Sequence, residues 1–361
     1  MDELRVLIAG GGTGGHVIPA LAAGRELVSR YGAELLFVGT QRGMETRLVP
    51  EAGFQLRLID VGPLKNVSLL TRMRTLAGLP RSILACRRLI REFRPGAVFG
   101  VGGYASGPAM AAALSMRVPA MAFEPNAMPG FANRLVGKRV QAAAVNFSSA
   151  ARWFRNAEVT GIPVRPEFFR LEPPSGAPHL LVFGGSQGAR LFNNTLPQIV
   201  RTLLDAVPGL TILHQSGARH IETTQAAYVA SGADPARWQV KAFLDDMAAQ
   251  FAQAHLAMAR SGASTVAELA AAGKPALLVP FAAAADDHQR RNAEEMVKAG
   301  AAAMLAETDL QTPDRLLTAL AGLLTAPDRL VAMAAAARTQ ARPDAAERIA
   351  TRLAELANPK I

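Results

Sequence analysis

Four short segments of this 361-residue chain place glycine where a backbone can approach a ligand: 10–15, 100–107, 184–188 and 261–265. Two of them directly follow apolar runs, Leu4–Ala9 and His179–Phe183. A strand that breaks into a glycine turn and opens a helix presents unpaired N–H groups at the helix N-terminus. Such groups bind phosphate through hydrogen bonds and the helix dipole. Glycine is needed there because a Cβ would hold the anion off and forbid positive φ. One such turn is as often a plain connection; four in one chain point to ligand binding.

Gly10, Gly12 and Gly15 match the pattern G-x-G-x-x-G. A dinucleotide fingerprint also needs an acid ending the second strand to hold the ribose. Here that strand ends Val38-Gly39-Thr40, with no acid before Glu45, so hydride transfer loses most of its support. No G-x-x-x-x-G-K-[ST] occurs, which leaves a P-loop unsupported. In the run 260–268, Ser261 or Ser264 is suited to capping a helix whose first turn faces a diphosphate, with Glu268 one turn on and able to accept from both ribose hydroxyls. The acid pairs Asp245-Asp246 and Asp286-Asp287 are adjacent and diverge, no Asp-x-Asp is present, and the six histidines show no ligand spacing. The expectation is an enzyme without a protein-bound metal.

The elements that must position these residues alternate. Strands are expected at Leu4–Ala9, Glu34–Val38, Ala97–Val101 and Ala120–Phe123, with helices at Pro19–Tyr31, Met44–Ala52 and Pro108–Met116. The pattern restarts at His179–Phe183 and continues through strands at Leu210–His214 and Pro275–Pro280. Alternation of this kind implies an α/β protein with doubly wound parallel sheets. The restart implies two Rossmann-like domains, 1–162 and 163–342, joined through the Pro/Gly-rich stretch 161–178. The helix after Pro343 fits either domain on sequence grounds.

Net charge is +10, and the whole excess lies in the first half: residues 1–162 carry 20 basic and 10 acidic side chains, residues 163–361 carry 19 of each. That asymmetry points to an anionic partner for the first half. One cysteine, Cys86, excludes an internal disulfide framework and a thiolate metal cluster. Met1-Asp2-Glu3 opens with acids, so no signal peptide is expected. The uncharged stretch 95–116 is long enough to span a bilayer, but its glycines and prolines read as strand, loop and small-residue helix.

Seven motifs in order carry a closer resemblance: Gly-Gly-Thr-Gly-Gly-His (11–16), Gly-Gly-Tyr-Ala-Ser-Gly-Pro (102–108), Gly-Gly-Ser-Gln-Gly-Ala-Arg (184–190), His-Gln-Ser-Gly (214–217), Phe-Leu-Asp-Asp-Met (243–247), Arg-Ser-Gly-Ala-Ser-Thr-Val-Ala-Glu (260–268) and Ala-Ala-Ala-Gly-Lys-Pro-Ala (270–276). The series closely resembles the MurG family, the N-acetylglucosaminyltransferases of peptidoglycan synthesis, over nearly the whole chain. The resemblance implies a GT-B fold, two Rossmann-like domains facing across a cleft, with the final helix 343–361 returning to the first. It implies inverting transfer of GlcNAc from UDP-GlcNAc to the C4 hydroxyl of MurNAc in undecaprenyl-diphosphate-MurNAc-pentapeptide (lipid I to lipid II), without a cofactor.

Carried over by motif position, the resemblance gives His16 as general base, a role histidine suits with its ordinary pKa of ~6.5, and Glu124 as a competing base. Ser186, Ser264 and Thr265 would bind the diphosphate, with Ala263, Val266 and Ala267 in the same turn and Arg165 as a permanent cation nearby. Phe243 would stack on uracil, Leu244 would offer its backbone, and Glu268 would take the ribose. His288 and Gln289 would meet the GlcNAc hydroxyls, and Thr13, Gly14, Gly15 and Asn126 would lie on the sugar or acceptor side. The chain departs from the family pattern at Pro125, at Ile162 and in Ala282–Ala285, positions that bear on fine contacts to the sugars.

Residues 65–94 hold eight basic side chains against Glu92, interleaved with leucine, isoleucine and methionine. Such a basic amphipathic region suits an anionic bilayer, and no nucleic-acid-binding motif accompanies it. The expected partners are UDP-GlcNAc, undecaprenyl-linked lipid I, an anionic inner-membrane surface and other cell-wall synthesis proteins, but not nucleic acid. The expected location is peripheral, on the cytoplasmic face of the cell membrane, in a role tied to cell shape and division. Competing readings are another GT-B enzyme acting on a UDP-sugar, such as an epimerase, a nicotinamide oxidoreductase, and a membrane- or nucleic-acid-binding module without catalysis.

Overall fold

The computed structural model describes residues 4–62, 69–185 and 187–358, without the side chains of 69–74 and 76. The first part runs β1 (Arg5–Gly10), α1 (Gly14–Tyr31), β2 (Glu34–Gly39), α2 (Glu45–Glu51), β3 (Gln55–Leu58), α3 (Leu69–Phe93), β4 (Ala97–Gly102), α4 (Ser106–Ser115), β5 (Ala120–Glu124), α5 (Phe131–Val136), β6 (Ala142–Val145), α6 (Ser148–Ala151) and β7 (Ala157–Val159). The second runs β8 (His179–Phe183), α7 (Arg190–Ala206), β9 (Thr211–Gln215), α8 (Ile221–Ala230), β10 (Trp238–Lys241), α9 (Met247–Gln253), β11 (Leu256–Ala259), α10 (Ala263–Ala271), β12 (Ala276–Leu278), α11 (His288–Lys298), β13 (Ala302–Met304), α12 (Pro313–Leu324) and α13 (Pro327–Thr339). Last comes α14 (Ala345–Ala357). The chain divides into two compact units, Met1–Pro163 with Arg342–Ile361, and Val164–Ala341.

Each unit holds one parallel sheet. The strand order is β3-β2-β1-β4-β5-β6-β7 in the first and β10-β9-β8-β11-β12-β13 in the second. Both are the doubly wound order, in which the chain reverses direction across the sheet next to its first strand and leaves a ligand crevice outside the strand C-termini. The reversal falls between β1 and β4 in one unit and between β8 and β11 in the other. All four glycine segments follow those four strands. The central strands are apolar because helices cover both faces: Val6, Leu7, Ile8 and Ala9 of β1 are buried, as are Leu180, Leu181 and Val182 of β8, whereas the edge strands β3 and β10 carry Gln55, Arg57, Gln239 and Lys241.

The helix α14 packs on α1 of the first unit. Tyr31 Oη donates to Thr351 Oγ1 at 3.1 Å, and Arg348 pairs with Glu158 at 2.7 Å and Arg30 with Glu347 at 2.9 Å. Of α3, Ser82, Cys86 and Ile90 face the core at helical spacing, with Ile83, Leu89 and Phe93 packed partly against it. Its outward side carries Arg81, Leu84, Arg88 and Arg91, with Arg88 paired to Glu92 at 2.8 Å. Lys65 lies outside the described residues, as do the side chains of Arg72 and Arg74.

Two helices begin earlier than the sequence suggests. The first starts at Gly14, not Pro19, and the fourth at Ser106, not Pro108. Pro108 falls in the first turn of α4, where a missing N–H forfeits nothing, whereas Pro19 is the sixth residue of α1 and lies inside the helix at the loss of one backbone bond. Among the described residues no single helix is long and apolar enough to cross a membrane. The pair α12 and α13 passes on length and composition only, bent by 86°, and its Leu316, Leu320, Leu323 and Leu330 are core residues of the second unit.

Candidate functional site

In the first unit, the turns after β1 and β4 interlock. Gly11 N–H donates to Gly102 O at 3.2 Å. A Cβ on Gly10 would lie 2.4 Å from Gly102 O, and one on Gly103 would lie 2.2 Å from Gly11 O, so backbone meets backbone at a distance only glycine permits. The helix α1 then opens at Gly14 and Gly15. Its N-cap, Thr13, is extended and makes no side-chain cap bond, which leaves its hydroxyl and the first N–H groups for a ligand. His16 sits in the first turn with its ring against Gly102, where a Cβ would come within 2.7 Å of Nδ1.

Glu124 ends β5 and is only 2% exposed. Its Oε1 accepts from Asn126 N at 3.0 Å and Asn126 Nδ2 at 3.2 Å, and its Oε2 accepts from Gly130 N at 3.0 Å and Asn133 Nδ2 at 2.9 Å. Burial pushes this carboxyl above the ordinary carboxylate range, while the donors from Asn133, Asn126 and Gly130 pull it back. Four N–H donors fill both oxygens. They make Glu124 the organiser of the loop from Asn126 to Asn133.

The second unit repeats the interlock. A Cβ on Gly188 would fall 1.9 Å from Ser216 O, and one on Gly217 would fall 2.1 Å from Gln187 O. Asn193 Nδ2, in the first turn of α7, donates to the same Ser216 carbonyl at 2.9 Å. Ser186 lies outside the described residues. After β11, α10 opens at Ala263 with Gly262 as an extended N-cap and no side-chain cap. Ser264, Thr265 and Ala267 are half-buried in its first turns and Val266 is buried.

Neither Ser261 nor Ser264, the two capping options in the sequence, is the cap: that position is Gly262, and Ser264 lies inside the first helical turn. Ser261 is fully buried, its hydroxyl donates to Gln289 O at 2.8 Å, and its carbonyl accepts from Asn292 Nδ2 at 3.1 Å. The helix N–H groups are thereby left for an anion. Glu268 stands further along the same helix. Burial raises its carboxyl to about 7, with Arg165 pulling it down and Glu167 pushing it up.

Other candidate residues belong to the same unit. Arg165 pairs with Glu167 at 3.2 Å and lies over the Phe168 ring. Gln289 Oε1 accepts from Phe281 N at 3.0 Å, so its amide NH₂ remains as the donor. His288 Nδ1 lies 2.6 Å from Ala285 O, which sets the proton on Nδ1 because a carbonyl only accepts. Phe243, after β10, exposes 54% of its surface, whereas Leu244 beside it is buried. Asp246 caps α9 through Ala249 N at 3.0 Å, and Asp287 pairs with Arg290. Among the described residues no three of His, Cys, Asp and Glu gather as a metal site.

Comparison with known proteins places this geometry. Residues 6–145 match the glycosyltransferase family 28 N-terminal domain and residues 179–349 the family 28 C-terminal domain. Curated proteins named UDP-N-acetylglucosamine--N-acetylmuramyl-(pentapeptide) pyrophosphoryl-undecaprenol N-acetylglucosamine transferase are similar end to end. The one from Anaeromyxobacter sp. (strain Fw109-5) is 45% identical, with 98% of this chain and 93% of the relative covered. That from Solibacter usitatus is also 45% identical, over 98% of this chain and 96% of the relative. The crystal structure of MurG from Acinetobacter baumannii superposes with a TM-score of 0.82 at 30% identity, covering 97% of this chain and 99% of that one. The chain belongs to the MurG family. It is a glycosyltransferase with the GT-B fold.

Against the MurG-family motifs, each unit gathers its own set. Thr13, Gly14, Gly15 and His16 stand together after β1, and Glu124 and Asn126 bond to each other after β5. The residues from Ala263 to Glu268 form one helix start, with Arg165 electrostatically coupled to Glu268. Sequence reading overlooked Glu45 and Asn133. Asn133 Nδ2 bonds both Glu124 and Phe123 O, each at 2.9 Å. The one signal for Glu45 was its place as the first acid after the second strand.

Proposed function

We propose that this MurG-family enzyme transfers GlcNAc from UDP-GlcNAc to the C4 hydroxyl of the MurNAc in undecaprenyl-linked lipid I, with inversion. The observation that carries the donor side is Glu268, a carboxyl raised to about 7 beside an uncapped helix start. That pairing suits a nucleotide: the carboxylate accepts from the ribose diol, and the N–H groups of α10 with Ser264 and Thr265 receive the diphosphate. Phe243 offers an exposed ring to uracil, and Arg165 adds a permanent cation where charge develops on the leaving UDP. Gln289 and His288 would meet the GlcNAc hydroxyls.

On the acceptor side His16 removes the proton of the C4 hydroxyl. The oxygen attacks the anomeric carbon, the bond to the diphosphate breaks, and UDP leaves with the electron pair. His16 is favoured over Glu124 because both Glu124 oxygens are already filled by N–H donors. Thr13, Gly14, Gly15 and Asn126 would bind the acceptor sugar. UDP release followed with and without a short-chain lipid I analogue tests the reading: release should depend on acceptor. Conversion of UDP-GlcNAc without acceptor would indicate an epimerase instead.

The membrane partner rests on α3. Arg81, Arg88, Arg91 and Leu84 share its outward side, and Leu84 is 61% exposed. This supports docking on the anionic inner leaflet from the cytoplasmic face, where the lipid-linked acceptor is presented.

A further inference from the structure

Glu45 is the first residue of α2, a position where an acid ordinarily faces water and complements the helix dipole. Here it is turned inward and is 2% exposed. Its Oε1 accepts from Thr40 N at 2.9 Å and Thr40 Oγ1 at 3.1 Å, and its Oε2 accepts from Gly12 N at 2.7 Å. Three glycines make room for it. A Cβ on Gly11 would lie 2.2 Å from the carboxyl carbon, one on Gly43 would lie 1.8 Å from Oε2, and one on Gly39 would lie 2.4 Å from Cγ. The carboxylate cannot swing away from such a Cβ without losing its three donors.

The consequence falls on Gly12. Its N–H is held by Glu45 and its carbonyl accepts from Met44 N at 3.2 Å, so residues 44 and 45 clamp both backbone groups of one residue, whose φ is +93°, and with them the two peptide units that meet there. The next residues are Thr13, Gly14, Gly15 and His16. Burying a carboxylate costs solvation that an apolar side chain would not. What it gives in return is a fixed peptide orientation immediately before the acceptor-side groups. The Gly12 N–H is thereby taken, so anion binding at this turn is left to the N–H groups beyond it.

We infer that Glu45 is a positioning residue for transfer, acting through Gly12 to aim Thr13 and His16. The inference rests on the assignment of residues 13–16 to the acceptor side. In Glu45→Gln the amide must set its NH₂ against the N–H of either Gly12 or Thr40, which releases one of the two segments. The full-length variant should keep its UDP dissociation constant within about twofold in calorimetry. Its kcat with a short-chain lipid I analogue should fall about tenfold to a hundredfold, the scale of a misplaced catalytic group. Glu45→Asp, which keeps the charge but not the reach, should not restore turnover. Thr40→Val, which removes only the hydroxyl donor, should lower kcat in the same sense by less and leave UDP binding intact. It carries the test if the Glu45 variants do not fold. Two results would overturn the inference: kcat and acceptor KM of a folded Glu45→Gln within about twofold of wild type, or UDP affinity falling in step with turnover. For Thr40→Val, unchanged kcat or a matching loss of UDP affinity counts against it in the same way. If the wild-type enzyme itself transfers nothing to the acceptor, the functional assignment fails rather than the role of Glu45 within it.

Discussion

Asn133 Nδ2 lies 2.9 Å from Glu124 Oε2 and also 2.9 Å from the carbonyl of Phe123, so one amide from α5 closes the end of β5. Together with Asn126 and Gly130 it turns Glu124 into the hub of a loop. A carboxylate so engaged would have to break native hydrogen bonds to take a proton from substrate. His16 stands in the first turn of α1, after β1, with its ring against Gly102.

Replacing Glu124 should therefore act first on the fold. In Glu124→Gln an NH₂ faces N–H donors, and each buried group left unpaired costs about 1–3 kcal/mol. Thermal unfolding should show a clear loss of Tm, while the acidic limb of the kcat profile persists. An unchanged Tm with that limb abolished would transfer the base role to Glu124.

His16→Ala should separate chemistry from donor binding. General base assistance contributes about 10²- to 10⁴-fold, so kcat should drop on that scale. The dissociation constant for UDP should hold, since the proposed donor groups belong to the other unit. Turnover surviving within a few-fold would remove His16 from the mechanism.

Glu268 gives a pH prediction with a definite sign. Its carboxyl is raised from 4.5 to about 7 chiefly by burial. Its contribution to folding stability is fully present below the unfolded value and lost as pH rises through about 7. Ribose hydroxyls donate to the ionised form and favour it, so UDP should bind more weakly as pH falls below 7 and should release a proton on binding. Calorimetry near neutral pH in buffers of different ionisation enthalpy reads this directly. Glu268→Ala should weaken the donor by roughly 1–3 kcal/mol and abolish the buffer dependence. Identical enthalpies in all buffers for wild type would exclude the linkage.

Much of this was legible in the chain. The strands β1, β2, β4, β5 and β8 announce themselves as continuous apolar runs, because parallel strands are buried on both faces. Short strands such as β6 (Ala142–Val145), β11 (Leu256–Ala259) and β13 (Ala302–Met304) are alanine-rich and carry little β signature. The glycine turns could be read locally, but their pairing at 10–12 with 102–103 arises only when the strand order is known. Glu45 and Asn133 were not legible as functional residues. Their partners include the backbone groups Gly12 N and Phe123 O, which leave no mark in the residue types.

The outward side of α3 makes the membrane proposal testable. Each basic residue near an anionic surface contributes about 1 kcal/mol, screened over roughly 8 Å at physiological salt. Reversing Arg81, Arg88 and Arg91 to Glu should abolish co-sedimentation with anionic vesicles, while transfer to a soluble short-chain acceptor survives. Arg87 is half-buried, so it is a poorer choice for this purpose. Equal binding of wild type to neutral and anionic vesicles would mean that these arginines form an ordinary solvated face.

The central claim is acceptor-dependent GlcNAc transfer with inversion. Its most direct test is incubation of the full-length protein with UDP-[¹⁴C]GlcNAc and a short-chain lipid I analogue, followed by product isolation and determination of the new anomeric configuration by NMR. The account predicts that label moves to the lipid acceptor in a β-linkage to the MurNAc C4 oxygen, with one UDP released per disaccharide. Label that stays in the nucleotide pool, or leaves it equally fast without acceptor, would contradict it.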